Sequence, residues 1–280
     1  MLSFPALASF TAPAAWRLAA MALLGLSVAC SHTASRVSDR QAESLGLDRS
    51  VISANGFTLV TYTNRATAGQ TLHIYLEGDG TPWKHTYWVA SDPGPNRPLM
   101  LHLMALDSAP GLYLGRPCYH GFASEAACDS RLWTSGRFSP TVIDAMAAAI
   151  DTLVRAGGYQ HIVLFGHSGG ATIAMLLAER LDGVEAVVTL AGVLDHSAWT
   201  LYHAYSPLSD SLNPARRPPL PGDIRQLHLA ADEDLVVPPA LSRAAVERQP
   251  GAELRVIRGY DHFCCWQKIW PAVLAEIDAW

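Results

Sequence analysis

Ile162-Val-Leu-Phe-Gly-His-Ser-Gly-Gly170 is the stretch whose reading decides the fold. An apolar run of strand type ends at Gly166, and Ser168 follows inside a Gly-x-Ser-x-Gly pattern. Ala171 to Arg180, Ala-Thr-Ile-Ala-Met-Leu-Leu-Ala-Glu-Arg, then reads as a helix. A serine on a sharp turn between strand and helix is held proud of the sheet edge, within reach of a substrate carbonyl. Gly166 and Gly170 lack a Cβ, so strand and helix can close tightly around the turn. The helix N-terminus aims N–H groups at the same spot, which favours a developing oxyanion. Ser168 is therefore the candidate nucleophile, and the Gly169 N–H a candidate oxyanion donor. The bland reading is a glycine-rich turn that happens to hold a serine. The rest of the chain must supply an acid, a base and a second donor.

The 280 residues suffice for one large α/β domain or two small ones, and half of them are hydrophobic. The net charge of −5 is mild, with no basic block, which argues against nucleic acid as a partner. No zinc-ligand spacing of cysteine or histidine stands out, so neither metal nor cofactor is called for. Oligomeric state is not legible.

Leu18 to Ala29 is an apolar run of about a dozen residues behind Arg17, the length of a signal h-region rather than a membrane span. Residues 1–30 therefore read as a signal peptide. Cys30, directly after Ser27-Val-Ala29, resembles the lipidation site of a bacterial lipoprotein, although a large aliphatic is usual where Ser27 stands. Ordinary cleavage after Ala29 and a start at Met21 are the alternatives. The expectation is export, to the periplasm or to an outer-membrane anchor, with the membrane touched only through the lipid. Residues 31–50 read as a polar tether and 51–280 as the folded domain. Cys118 and Cys128 bracket a short loop, and in an exported protein they form the natural disulfide. Cys264 and Cys265, adjacent in sequence, read as buried thiols.

In order, Phe57–Thr63, Leu72–Leu76 and Leu112–Leu114 read as strands. Leu99–Leu106 reads as a helix begun by Asn96-Arg-Pro98. Ser139 caps a helix over Pro140–Arg155, with proline at the first position and Gly157-Gly158 as the stop. After the elbow come a strand at Val184–Leu190, a proline-rich insertion over the site at about 193–224, and a strand at Arg225–Ala230. A helix at Pro239–Arg248, a strand at Leu254–Ile257 and a helix at Trp266–Trp280 close the chain. Alternating strands and helices give an α/β protein with a mostly parallel sheet covered on both faces.

Three loops behind these strands carry the remaining chemistry. Glu77-Gly-Asp-Gly80 is a glycine-rich, acidic turn that follows an early strand. Ala231-Asp-Glu-Asp-Leu-Val-Val-Pro238 offers Asp232 and Asp234 as acids, and Asp195 behind the preceding strand is a further one. Gly259-Tyr-Asp-His-Phe263 offers His262 as the base. His167, His196 and His203 read as packing, pocket or surface histidines.

Serine, acid and base in this order, each behind a strand, resemble the α/β-hydrolase superfamily over about residues 55 to 280. The resemblance implies an α/β-hydrolase fold and a Ser168/Asp234/His262 triad. It implies a small-molecule acyl substrate, an ester or thioester cleaved through an acyl-enzyme. In that superfamily the second oxyanion donor often sits in a His-Gly-Gly-Gly loop, which implies the Asp79 N–H, with that of Gly80 next, as the donor in Glu77-Gly-Asp-Gly80. Here the run is acidic, so the Glu77 and Asp79 carboxylates must be kept off the oxyanion. A serine peptidase or amidase on the same fold is the runner-up, and a non-catalytic envelope binding lipoprotein the third reading. Trp83, Trp133, Trp199 and Tyr202 are expected to line an aromatic pocket.

Overall fold

Strand β7 (His161–His167) runs through the middle of the sheet, and its pleat shows how the layers are built. Ile162 and Leu164 point to one apolar layer, Val163 and Phe165 to the other. Such a strand is buried on both sides, which is why it reads as a continuous apolar run. The structure is a computed structural model that describes residues 34–66, 69–85 and 87–280. The expected signal peptide, with Cys30, falls outside the described residues.

Helix α1 (Ala34–Ser44) leads into β1 (Asp48–Ala54) and β2 (Phe57–Thr63). Then come β3 (Thr71–Leu76), the two-residue strands β4 (Trp83–Lys84) and β5 (Trp88–Val89), helix α2 (Leu99–Met104) and β6 (Gly111–Leu114). Helix α3 (Pro140–Gly157), β7, helix α4 (Gly169–Ala178) and β8 (Val184–Leu190) form the centre. Helix α5 (His196–Tyr202), β9 (Arg225–Ala231), α6 (Pro239–Val246), β10 (Glu253–Ile257) and α7 (Trp270–Asp278) complete the chain. The main sheet runs β1-β2-β6-β3-β7-β8-β9-β10. β1, β2 and β6 pair antiparallel in sequence; from β6 onward every pairing is parallel. Helices α3, α4 and α6 pack on one face, and α1, α2 and α7 on the other.

Local chemistry explains the boundaries. The Ser139 hydroxyl accepts from the Val142 N–H and Pro140 opens α3, while Gly158 ends it at φ 70°. All residues of α4 are buried, so it lies beneath the sheet without a solvent face. The 193–224 insertion is α5 followed by proline-stiffened loop and a 3-10 turn at Pro214–Arg216.

Three expectations need correction. Within the stretch expected as a tether, residues 34–50 are folded: α1 packs Ala42 into the core, and β1 pairs along the whole of β2. Both sequences are polar because β1 is an edge strand, exposed over most of its length. Cys264 and Cys265 are not buried thiols, since their sulfurs are joined to one another and Cys264 is exposed. The expected pair Cys118–Cys128 is bonded, with sulfurs 2.08 Å apart. Trp133 is core rather than pocket wall: it is buried and its indole N–H donates to the Ala90 carbonyl at 3.1 Å.

Candidate active site

The C-terminal ends of β3, β7, β8, β9 and β10 open on one edge of the sheet, and every candidate residue sits in a loop at that edge. Ser168 follows β7 at φ 54° and ψ −119°, a left-handed conformation that a non-glycine residue adopts only under constraint. Its N–H donates to the Leu190 carbonyl at 2.9 Å, and its own carbonyl accepts from Ala171 and Val193 N–H groups. These bonds hold the turn. A methyl group on Gly166 would overlap the Gly170 carbonyl, and one on Gly170 would overlap the Leu76 carbonyl. Both glycines are thus required by close approach, as the sequence suggests. Ser168 remains half-buried, open to small molecules.

Asp234 is the acid that meets the histidine. Its Oδ2 lies 2.7 Å from His262 Nδ1, with Asp234 2% and His262 5% exposed. Asp234 Oδ1 accepts from the Val236 and Val237 N–H groups at 2.7 and 2.8 Å. Burial by itself would raise the Asp234 pKa; the bond and charge of His262 and the two N–H groups outweigh it and hold the carboxyl below its usual range. An ionised carboxylate only accepts, so the shared proton is on Nδ1 and Nε2 is left as the free base. Burial, with His167 nearby, lowers the His262 pKa against the pull of Asp234.

The other acids are engaged elsewhere. Asp232 is exposed and accepts from the Gly259 N–H at 2.7 Å. Asp195 caps α5, accepting from Ser197 and Ala198 N–H groups, and takes a further bond from Asn213. His196 packs against Phe138 with ring centroids 6.1 Å apart. His203 and Trp199 both donate to the Val236 carbonyl, at 2.8 and 2.9 Å, tying the insertion to the acid loop.

His167 does more than pack locally. Its Nε2–H donates to the His262 carbonyl at 2.9 Å, and the two rings lie 4.8 Å apart. The Trp266 indole also donates to that carbonyl, at 3.3 Å. The backbone of the candidate base is therefore pinned from the strand that bears Ser168. Nothing in the pattern Gly-His-Ser-Gly foretells this partner, which is 95 positions away.

The acidic loop resolves in an orderly way. Glu77 is buried; its Oε1 accepts from the Gly78 N–H at 3.2 Å and its Oε2 from the Met100 N–H of α2 at 2.9 Å. Asp79 is paired with Arg137, Nη1 to Oδ2 at 2.6 Å, and with Arg116, Nη1 to Oδ1 at 2.9 Å. The second contact is close but off hydrogen-bond direction. Burial pushes the Asp79 carboxyl up, yet the two guanidiniums outweigh it and keep the group ionised. The Gly78 backbone lies against the nucleophile, where an added Cβ would stand 3.2 Å from that of Ser168. The Gly78 N–H is used by Glu77. Among the described residues, the N–H groups of Asp79, Gly80 and Gly169 donate to no protein acceptor. Arg116 and Arg137 escape a reading of motifs alone. The signal available was Asp79 itself, since a carboxylate beside an oxyanion site demands a counter-ion.

Trp83, Tyr87, Trp88, Leu201, Tyr202, Leu235 and Phe263 are exposed apolar side chains in the segments that follow β3, β8, β9 and β10, with Trp83 on β4, Trp88 on β5 and Leu201 and Tyr202 on α5. Among the described residues, no cluster of His, Cys, Asp and Glu is suited to hold a metal ion.

Comparison with known proteins agrees with this architecture. A family model described as the alpha/beta hydrolase fold matches residues 117–202. No curated protein matches this sequence. Est1E from Butyrivibrio proteoclasticus with bound ferulic acid is similar in structure, with a TM-score of 0.61 at 14% identity over 82% of this chain and 98% of that one. A bacterial membrane phospholipase A gives 0.59 at 13% identity, covering 95% and 98%. A Pyrococcus furiosus esterase gives 0.57 at 15%, covering 85% and 93%. With its sheet order and its strained serine turn, the chain adopts the α/β-hydrolase fold.

Proposed function

We propose that the protein is a serine hydrolase that cleaves a carboxylic ester or thioester through an acyl-enzyme. The observation that carries this reading is the buried Asp234–His262 pair at 2.7 Å, pinned by His167 to the elbow that bears Ser168. A neutral serine hydroxyl is a weak nucleophile, so a base must take its proton during attack. Nε2 of His262 would take it and later return it to the leaving alcohol or thiol. Asp234 fixes the tautomer and stabilises the imidazolium. The tetrahedral oxyanion would be met by the free N–H groups of Gly169, Asp79 and Gly80; loss of one such donor typically costs roughly 3 kcal/mol in the transition state. The exposed aromatic and aliphatic side chains in the segments that follow β3, β8, β9 and β10 favour an apolar acyl group.

We further propose export, with Cys30 as a lipid anchor. The Cys118–Cys128 disulfide supports an oxidising compartment. The apolar run before Cys30 supports a signal peptide.

A panel of short- and long-chain p-nitrophenyl esters, thioesters and peptide anilides tests the substrate class. Ester or thioester turnover abolished by Ser168→Ala is the expected result. Anilide cleavage without ester cleavage would transfer the protein to the peptidases. No turnover and no fluorophosphonate labelling would leave the fold as a binding module.

A further inference from the structure

We propose that Arg116 and Arg137 are positioning residues that turn the acidic Glu77–Gly80 loop into a working oxyanion hole. The inference rests on the hydrolase reading above.

The Asp79 carboxylate lies directly over the elbow, where a methyl group on Gly169 would overlap it. Alone, a negative charge in that place would oppose the oxyanion formed on attack by Ser168. Two guanidiniums flank this carboxylate and offset its charge. All three groups are largely removed from water: Arg116 is 4% and Arg137 6% exposed. Charges in such surroundings are screened weakly, so it matters at the reacting carbonyl that the Asp79 charge is offset by the two guanidiniums. The neighbouring Glu77 carboxylate is occupied by the Gly78 and Met100 N–H groups.

The clamp also sets direction. Arg116 Nη2 donates to the Glu77 carbonyl at 3.1 Å, and the Tyr119 hydroxyl donates to the Asp79 carbonyl at 3.1 Å. In a trans peptide the N–H points opposite to the carbonyl. Holding the Glu77 carbonyl therefore turns the Gly78 N–H toward the Glu77 carboxylate. Holding the Asp79 carbonyl leaves the Gly80 N–H free on the other side. Arg137 Nε donates to the Thr134 carbonyl at 2.8 Å, which anchors the clamp to the 3-10 turn at Ser130–Trp133 and its following loop. Arg116 sits over the rings of Tyr119 and Phe138, at 5.6 and 5.5 Å, so its position is fixed by packing as well as by charge. Neither arginine is aimed at substrate. Arg137 acts through Asp79, and Arg116 through Asp79 and the Glu77 carbonyl.

Steady-state hydrolysis of p-nitrophenyl acetate and octanoate by the full chain tests this, with thermal melts to verify folding. Arg137→Met should lower kcat by about 10- to 100-fold with KM nearly unchanged, as expected when transition-state stabilisation alone is weakened. Removing the carboxylate that the arginine neutralises should make the loss non-additive: in an Asp79→Asn background, Arg137→Met should lower kcat by less than about 3-fold. The acid limb of the pH profile, set by His262, should stay in place. Arg137→Lys and Arg116→Lys keep the charge but not the planar fork, and should fall between wild type and Arg137→Met. If Arg137→Met does not fold, the lysine variants decide alone. Wild-type kcat in them, or effects confined to KM, or full additivity with Asp79→Asn, would overturn the proposal while Ser168→Ala stays inactive. A wild type that neither turns over ester nor reacts with a fluorophosphonate would overturn the hydrolase reading, and this inference with it.

Discussion

Asp232 and Asp234 stand two residues apart behind β9, and their surroundings separate their roles. Asp234 is buried against His262, whereas Asp232 faces solvent and holds the Gly259 N–H. Asp234→Asn is expected to lower kcat by about 10⁴-fold, because the amide would favour the wrong imidazole tautomer. Asp232→Asn should leave kcat within a few-fold. Steady-state kinetics on both variants checks the choice. The pH profile follows from His262. Its pKa is lowered from 6.5, chiefly by burial, and the reaction needs the neutral ring. kcat/KM should therefore be flat through neutrality and fall on acidification below the ordinary histidine range. Asp79 adds a stability term of opposite kind. Its folded pKa lies below 3.8, so its contribution is full above the unfolded value and is lost as the pH falls through the folded one. Acid melts should show that the Asp79→Asn difference from wild type shrinks only below about pH 4.

At the scale of the element, the elbow was the most legible part of the chain. Its strand, its serine and its helix are set by a local pattern, and Gly166 and Gly170 are required by contacts a few residues away. Gly170→Ala should destabilise the fold by about 1–3 kcal/mol through overlap with the Leu76 carbonyl, read as a lower midpoint in urea. Elements with weak patterns were missed. α1 and β1 are polar, and they earn their place through pairing with β2 and through contacts such as Arg49–Asp39 at 2.8 Å and Tyr62–Asp39 at 2.6 Å. The β4–β5 ribbon is two residues on each side, too short to show alternation. The same limit hid Arg116 and Arg137. They reach Asp79 from 37 and 58 positions away, and only the folded chain brings those loops together.

At the scale of the molecule, the mostly parallel sheet places its functional loops at one edge, so the order of serine, acid and base along the chain was enough to foresee the architecture. Loop pattern alone left Asp232, Asp234 and Asp195 open as the acid; the resemblance singled out Asp234, and Asp234 is the one that meets His262, because the depth of each loop decides the partner. The Cys118–Cys128 bond closes a short loop at the same edge and is expected to add roughly 3 kcal/mol in the chain-entropy model. A Cys118→Ser/Cys128→Ser variant should melt several degrees lower than wild type. In cell fractions, Cys30→Ser should release the protein from the membrane, and persistence there would argue against a lipid anchor.

The central claim is that Ser168 is the nucleophile of a serine hydrolase. Its most direct test is mass-spectrometric mapping of the protein after reaction with a fluorophosphonate. The account predicts a single adduct on the peptide that contains Ser168, absent after His262 is changed to alanine. No adduct, or an adduct on another residue with Ser168 unmodified, would contradict it.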